Sequence, residues 1–280
     1  VVLINPNSST ATTAMMTAIA RRTLGPALPV RGVTVARGPR MLTDPEALRA
    51  AAPEVLAAGL RATAGGDCAA LLVAAFGDPG LTALRAATTG AGASGVHGLA
   101  GASGAYGATG TPASGIREVG IPTSGTLTSG TLTSGTLTSG APTSGIPVVG
   151  IGEAALLEAA AGGTPFGIAT TTPLLADAIH ARVNALGLAD RYTGLRLTAG
   201  APERLSADPE LLLDRLERAV RACAERDGAR AVVIGGGPLG EAAEALHARC
   251  AVRVVAPIPA ACRAITRLLT DRRTGGPTVR

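Results

Sequence analysis

The feature that most constrains this chain is a set of short, nearly unbroken apolar runs. Cys68–Phe76 reads Cys-Ala-Ala-Leu-Leu-Val-Ala-Ala-Phe, and Phe166–Thr171, Ala231–Gly235 and Val252–Ala256 are built in the same manner. A strand wet on one face alternates polar and apolar residues. A run without alternation is covered on both faces, as in a parallel sheet flanked by helices. Val1–Asn5, Val30–Ala36 and Ile146–Ile151 complete the strand candidates. Helix start signals fall between them. Asp44 caps with Pro45 following, Thr172 with Pro173 following and Gly187 as the stop. Ser206 precedes Asp208-Pro209, whose helix ends at Gly228, and Pro238 and Pro259 open two more. Pro53 is expected to break its stretch into two helices. Repeated strand–helix units of this kind define an α/β fold.

Composition excludes several functions. The longest apolar run is strand-sized, well below the ~18–20 residues of a membrane-crossing helix. The net charge of +5 comes from arginines alone, and they are scattered apart from Arg21-Arg22 and Arg272-Arg273. With aromatic residues at 1%, there is neither a coherent basic stripe nor a stacking platform, so no nucleic-acid partner is expected. Cys68, Cys223, Cys250 and Cys262 are widely spaced, and His97, His180 and His247 lie far apart. Neither a metal site nor a disulfide framework is expected, and a reducing cytoplasm fits best. The chain opens directly in a strand-like run, so no leader peptide is expected, and the absent initiator Met points to trimming or a few lost residues. At 280 residues a core closes without covalent staples.

One stretch departs from the pattern. From about Thr88 to Gly145 the sequence turns Gly/Ser/Thr/Ala-rich, and Thr-Ser-Gly recurs at Thr123, Thr128, Thr133, Thr138 and Thr143. Only Leu127, Leu132 and Leu137 offer apolar side chains to stack, too few for a solenoid. Residues 88–145 read as a flexible insert within one strand–helix connection.

The polar residues gather where strands end. Asn5-Pro6-Asn7-Ser8-Ser9-Thr10 closes the first strand, Ala74-Ala75-Phe76-Gly77-Asp78-Pro79-Gly80 the third, Thr170-Thr171-Thr172 a strand of the second half, and Gly235-Gly236-Gly237-Pro238 a late one. Carboxyl ends of parallel strands are where α/β proteins bind ligands, and free helix N–H groups there suit a carboxylate or imide oxygen. Plain helix capping by Ser8 or Ser9 is the alternative for the first loop. Gly235, Gly237 and Gly240 also satisfy a bare GxGxxG, but the strand that follows carries no acid to hold a ribose, so a dinucleotide is not expected. Two strand-end loops in each half describe two similar lobes facing one cleft.

Taken in order, Ile4-Asn5-Pro6-Asn7-Ser8-Ser9, Ala36-Arg37-Gly38-Pro39, Phe76-Gly77-Asp78-Pro79-Gly80-Leu81, Ile146–Ala154, Thr170–Thr172 and Gly235–Leu239 resemble the aspartate/glutamate racemase superfamily, in its hydantoin racemase-like branch. The resemblance spans nearly the whole chain outside the insert. It implies an α/β fold of two pseudo-symmetric lobes, each a parallel sheet flanked by helices, with the active site in the cleft between them. It places the first lobe at 1–87, with 257–280 packing back on it, and the second at 146–256. It also implies a cofactor-independent isomerase acting on a small substrate such as a hydantoin, an allantoin-like cyclic amide or an acidic amino acid. Two opposed cysteines would take and return a proton, a task suited to a thiol whose pKa lies near neutrality. In this chain both thiol positions are replaced, by Ala75 and by Gly236. Substrate contacts are implied for Asn5, Pro6, Asn7, Phe76, Gly77, Asp78, Thr170, Thr171, Thr172 and Gly237. Cys68 lies seven residues before Ala75, about 23 Å along a strand, and cannot substitute for it. Cys262 reads as a buried helix-face residue.

A racemase-family protein with a small-molecule substrate, no cofactor, no metal, no membrane partner and compatibility with a homo-oligomer is therefore one reading. A family member that binds the ligand without racemising it, or that runs a different reaction through Asp78 or the threonines, is the second. A protein that presents the insert to a partner is a third.

Overall fold

The computed structural model describes residues 1–90 and 145–274. Expectations for His97 and for residues 91–144 of the insert lie outside them. The elements run β1 Val2–Asn5, α1 Thr10–Leu24, β2 Arg31–Thr34, α2 Pro45–Thr63, β3 Leu71–Val73, α3 Leu81–Gly90 and β4 Val148–Gly150. They continue with α4 Ile151–Ala159, β5 Phe166–Thr170, α5 Ala176–Ala185, β6 Tyr192–Leu197, α6 Pro202–Ala207 and α7 Pro209–Glu225. The last four are β7 Ala231–Ile234, α8 Gly240–Arg249, β8 Arg253–Val255 and α9 Pro257–Thr274. All strand pairs are parallel, in two four-stranded sheets ordered β2-β1-β3-β4 and β6-β5-β7-β8. The second order repeats the first, strand for strand, so the lobes share one topology.

Alternate residues of the apolar runs serve opposite faces, as the pleat demands. In the first sheet Leu3 and Leu72 face α1 and α9, whereas Val2, Ile4, Leu71 and Val73 face α2 and α3. In the second, Phe166, Ile168 and Val233 face α4 and α5, and Ala169, Val232 and Ile234 face α7 and α8. The final helix of each half crosses over. Ala155, Leu156 and Ala159 of α4, which follows the first sheet, sit in the core of the second. Ile258, Ala261, Cys262 and Ile265 of α9, which follows the second sheet, sit in the core of the first.

Several expectations are corrected. β4 pairs with β3, with Leu71 opposite Val148 and Val73 opposite Gly150, so this strand belongs to the first sheet and not to a lobe starting at residue 146. Pro53 does not break its helix: α2 runs through it, because Pro53 and Arg49, whose carbonyl loses its donor, both lie on the solvent side. Asp44 caps α2 by accepting from the Ala47 N–H at 2.9 Å, and Asp208 caps α7 from Leu211 at 3.0 Å. Thr172 makes no side-chain cap, and α9 opens at Pro257 instead of Pro259. The paired strands are shorter than the apolar runs: Ala74–Phe76 and Gly235 have already left the sheet, and Ile151 opens α4.

Candidate active site

The two halves meet at their strand ends with matched hydrogen bonding. The Ala74 N–H donates to the Ile4 carbonyl at 2.9 Å and the Gly235 N–H to the Ala169 carbonyl at 2.8 Å. The Val35 N–H donates to Asn5 at 3.2 Å and the Thr198 N–H to Thr170 at 3.0 Å. Asn5 and Thr170 are therefore equivalent positions of the two lobes, and so are Ala75 and Gly236. The lobes touch closely here: a Cβ on Gly237 would lie 2.9 Å from the Ala74 carbonyl oxygen, so only glycine fits.

A cavity of about 340 Å³ lies among these loops, lined by Asn7, Ala74–Gly77, Thr171, Thr172 and Gly235–Gly237. Of the residues expected to contact substrate, Asn7, Phe76, Gly77, Thr171, Thr172 and Gly237 line it, together with Ala75 and Gly236. Asn5, Pro6, Asp78 and Thr170 do not; they are buried behind it. Asn5 Nδ2 donates to Asn7 Oδ1 at 2.8 Å, to Thr13 Oγ1 at 2.9 Å and to the Ser9 carbonyl at 3.1 Å, and its Oδ1 accepts from the Asn7 N–H at 3.1 Å. Asn7 Oδ1 also accepts from the Ser9 N–H at 2.9 Å. With that oxygen fixed, the Asn7 amide nitrogen is the donor left for a ligand. Ser9, in turn, caps α1 through the Thr12 N–H at 3.2 Å, so capping and ligand contact are divided between neighbours. Thr170 Oγ1 donates to the Gly235 carbonyl at 2.7 Å and lies 3.1 Å from Thr172 Oγ1. It sets the glycine loop and the threonine that reaches the cavity.

Asp78 is similarly occupied. Its carboxylate accepts from the Gly152 N–H at 2.9 Å and the Glu153 N–H at 2.7 Å, at the start of α4, and lies 3.3 Å from Arg182 of the second lobe. Arg182 also pairs with Glu153 at 2.8 Å, which Arg85 holds from the other side at 2.8 Å. Burial pushes the Asp78 carboxyl up to about 7, against the two N–H donors and the Arg182 guanidinium. Asp78 is also the one described non-glycine residue at positive φ, 47°, a conformation Asp tolerates better than most.

The chemistry of the lining is narrow. Among the described residues Glu241 is its only ionisable side chain, and they bring it no thiol, imidazole or cation. The thiols lie elsewhere. Cys262 is fully buried in the first lobe's core, where burial pushes its thiol up to about 12, and burial does the same to Cys223. Cys68 is buried too, with its Sγ 3.4 Å from the Ala70 carbonyl. Nothing here makes a thiolate ready at neutral pH. Among the described residues no cluster of His, Cys, Asp and Glu is placed to hold a metal ion. No described helix is long and apolar enough to cross a membrane.

The outer walls escaped the sequence reading. Met41, Leu42 and Leu48 precede or belong to α2, Ser206 comes from α6, and Leu212 and Leu213 from α7. Only α7 carried a signal: Leu211-Leu212-Leu213 is wider than the stripe needed to bury Leu216 and Val220 against the sheet.

Two parallel-sheet lobes of one topology, with a cavity walled by their facing strand ends, define the class of fold. Residues 1–115 and 139–265 match the Asp/Glu/Hydantoin racemase family, and the chain belongs to it. Solved structures agree on the fold. An allantoin racemase from Klebsiella pneumoniae superposes with a TM-score of 0.71 at 23% identity, over 96% of this chain and 86% of that one. An allantoin racemase from Pseudomonas fluorescens gives 0.68 at 20% identity, over 99% and 92%. A glutamate racemase from Francisella tularensis gives 0.56 at 8% identity, over 100% and 84%. No curated protein sequence matches the chain.

Proposed function

We propose that this chain binds a small neutral cyclic amide, of the hydantoin or allantoin kind, in the cavity between its lobes, and that it is a very poor racemase. The observation that carries both parts is the lining: among the described residues, no cation to meet a substrate carboxylate, and no thiol to move a proton. An acidic amino acid would bring two carboxylates into a cavity where the one charged side chain among the described residues, Glu241, is itself an acid. A neutral ring with carbonyl and N–H groups matches the Asn7 amide, the threonine hydroxyls and the backbone of the glycine loop. The superposing allantoin racemases support that substrate class.

Proton transfer at a carbon next to a carbonyl needs a base on one side and an acid on the other for inversion. At the two lobe-equivalent positions the side chains are a methyl group and a hydrogen. General acid–base groups contribute about 10²–10⁴-fold each, so losing both removes most of the rate while leaving the cavity able to bind. Oxyanion stabilisation by the Gly77 and Gly237 backbone moves no proton by itself. A second reading rests on Glu241, which as a single base would exchange the proton with retention more than inversion. The deciding measurement is deuterium incorporation from D₂O into an enantiopure 5-substituted hydantoin, read beside optical rotation. The unmodified chain is expected to give neither. Ala75→Cys with Gly236→Cys together should give both, and either alone less. At the second site, in extended backbone, a new Cβ would lie 3.0 Å from both Cδ1 and Cγ of Leu239, so that side chain has to shift by a few tenths of an ångström to admit it. Robust racemisation by the unmodified chain overturns the proposal, and exchange abolished by Glu241→Gln favours the second reading. The four free thiols accord with a reducing, cytoplasmic setting.

A further inference from the structure

The lining of the main cavity divides by chemistry. Asn7, Thr171 and Thr172, the polar side chains withdrawn from solvent, come from the strand ends that also carry Ala75 and Gly236. Ser206 and Glu241 are exposed. The rest of the described wall is apolar side chains and glycine. Met41 and Leu42 come from the segment before α2, Leu48 from α2, Leu175 from the turn before α5, and Leu212 and Leu213 from the start of α7. Farther along α7, Leu216 and Val220 are fully buried in the second lobe's core, whereas Leu212 and Leu213 lie at the edge of that core and stay half-buried, as do Met41 and Leu42. Large aliphatic side chains left partly wet along a cavity gain most from an apolar ligand, because contact takes both surfaces out of water. The cavity, at about 340 Å³, also falls within the range of about 300–1,000 Å³ that encloses ligands of drug size, and so holds more than a five-membered ring.

We propose that this apolar wall is the subsite for the substituent on the ring, that it takes a branched alkyl or aralkyl group in preference to a polar one, and that Leu212 and Met41 set the preference. The inference rests on the cyclic-amide reading and narrows it to one kind of substituent. Isobutyl and ureido groups separate the possibilities, since they have the same number of non-hydrogen atoms and the same branching. The ureido group, which is the substituent of allantoin, carries a carbonyl and N–H groups. Placing those against leucine and methionine strips them of water without supplying partners, and that is costly. The isobutyl group has nothing to lose there.

The test is a titration of the full chain with 5-isobutylhydantoin, allantoin, unsubstituted hydantoin and 4-methylpentanamide, followed by methyl NMR; the last compound carries the same alkyl tail on an open-chain amide. 5-Isobutylhydantoin is expected to shift the Met41, Leu212 and Leu213 methyls saturably and to bind at least about tenfold more tightly than allantoin or unsubstituted hydantoin. Leu212→Asn should reduce the preference for isobutyl over ureido by about tenfold or more. Met41→Gln, close in length and shape, serves the same purpose if Leu212→Asn fails to fold. Allantoin or unsubstituted hydantoin binding as tightly as the isobutyl compound, or a preference that the folded variants leave unchanged, overturns the subsite and leaves the cyclic-amide reading standing. Binding of 4-methylpentanamide at the same methyls, weakened by the variants, with no binding of any hydantoin, supports the subsite and overturns the ring reading. No saturable shift with any of the four compounds up to about 10 mM overturns both.

Discussion

The two crossing helices, α4 and α9, hold the same place in their lobes and solve the same problem in opposite ways. A helix start leaves backbone N–H groups without intrahelical partners, and both starts are buried between the lobes. α4 meets this with an acceptor: Asp78 takes the Gly152 and Glu153 N–H groups. α9 meets it by having few donors, since Pro257 and Pro259 carry no N–H and the Ala260 N–H already reaches the Ala256 carbonyl at 3.1 Å. One start is charged, titratable and tied through Arg182 to the far lobe; the other is inert. A buried helix end can thus be made neutral in energy by supplying an acceptor or by withholding the donors. Only the first choice gives the protein a group through which pH reaches the lobe interface.

That contrast can be broken first at Asp78. Asp78→Ala strands two buried N–H donors and half of Arg182's pairing, and is expected to cost about 3–5 kcal/mol in urea unfolding. A cost no larger than that of a proline replacement at the other start would erase the difference between the helices. Gly152→Ala attacks the same junction sterically, because the new Cβ would lie 1.9 Å from the Phe76 carbonyl oxygen, a backbone atom that cannot swing away. A loss of about 2–3 kcal/mol, or failure to fold, is expected, and a variant of unchanged urea midpoint would show that the α4 start is loosely held.

The pH dependence sharpens the contrast. The carboxyl is raised from 3.8 to about 7. Between those values the folded chain keeps a proton that the unfolded chain has lost, so this group's contribution is complete below the lower value and drains away as pH rises through the upper one. Asp78→Asn keeps an acceptor and does not titrate. The stability advantage of the natural chain over this variant should therefore shrink from about pH 4.5 to about pH 8; parallel midpoint curves would remove the titratable role. The smallest effect is expected at the inert start. Pro257→Ala or Pro259→Ala should cost about 0.5–1 kcal/mol, by restoring an unfolded-chain freedom and a donor, with no pH dependence that differs from the natural chain.

Much of this was legible in the sequence, for physical reasons that also explain what was not. Strands buried on both faces announce themselves as unbroken apolar runs, which is why β1, β3, β5 and β7 could be read. β6 could not. It is an edge strand, half-exposed throughout, with Gly194 at φ 127° and a register shift at Phe166/Gly167, so Tyr192–Leu197 shows no continuous apolar signal. The loops around the cavity were readable because strand carboxyl ends must collect there. Which side chains face inward was not, because a polar residue at a strand end serves either a ligand or its neighbours. Asn5, Asp78 and Thr170 serve their neighbours, and Asn7, Thr171 and Thr172 face the cavity. The walls from α6 and α7 depend on where whole helices come to rest, and a local sequence pattern does not encode that.

The exchange of α4 and α9 also sets an order of assembly. A chain is made from its amino end, and its earlier parts begin to fold first. Yet the core beneath β1 and β3 needs Ile258, Ala261, Cys262 and Ile265, which lie within the last 23 residues. The lobe that is synthesised first is therefore the last to be closed. Until α9 leaves the ribosome, Leu3, Met16 and Leu72 lack part of their cover on that face, and a chain cut short before residue 257 would expose apolar surface in a lobe whose own sequence is intact.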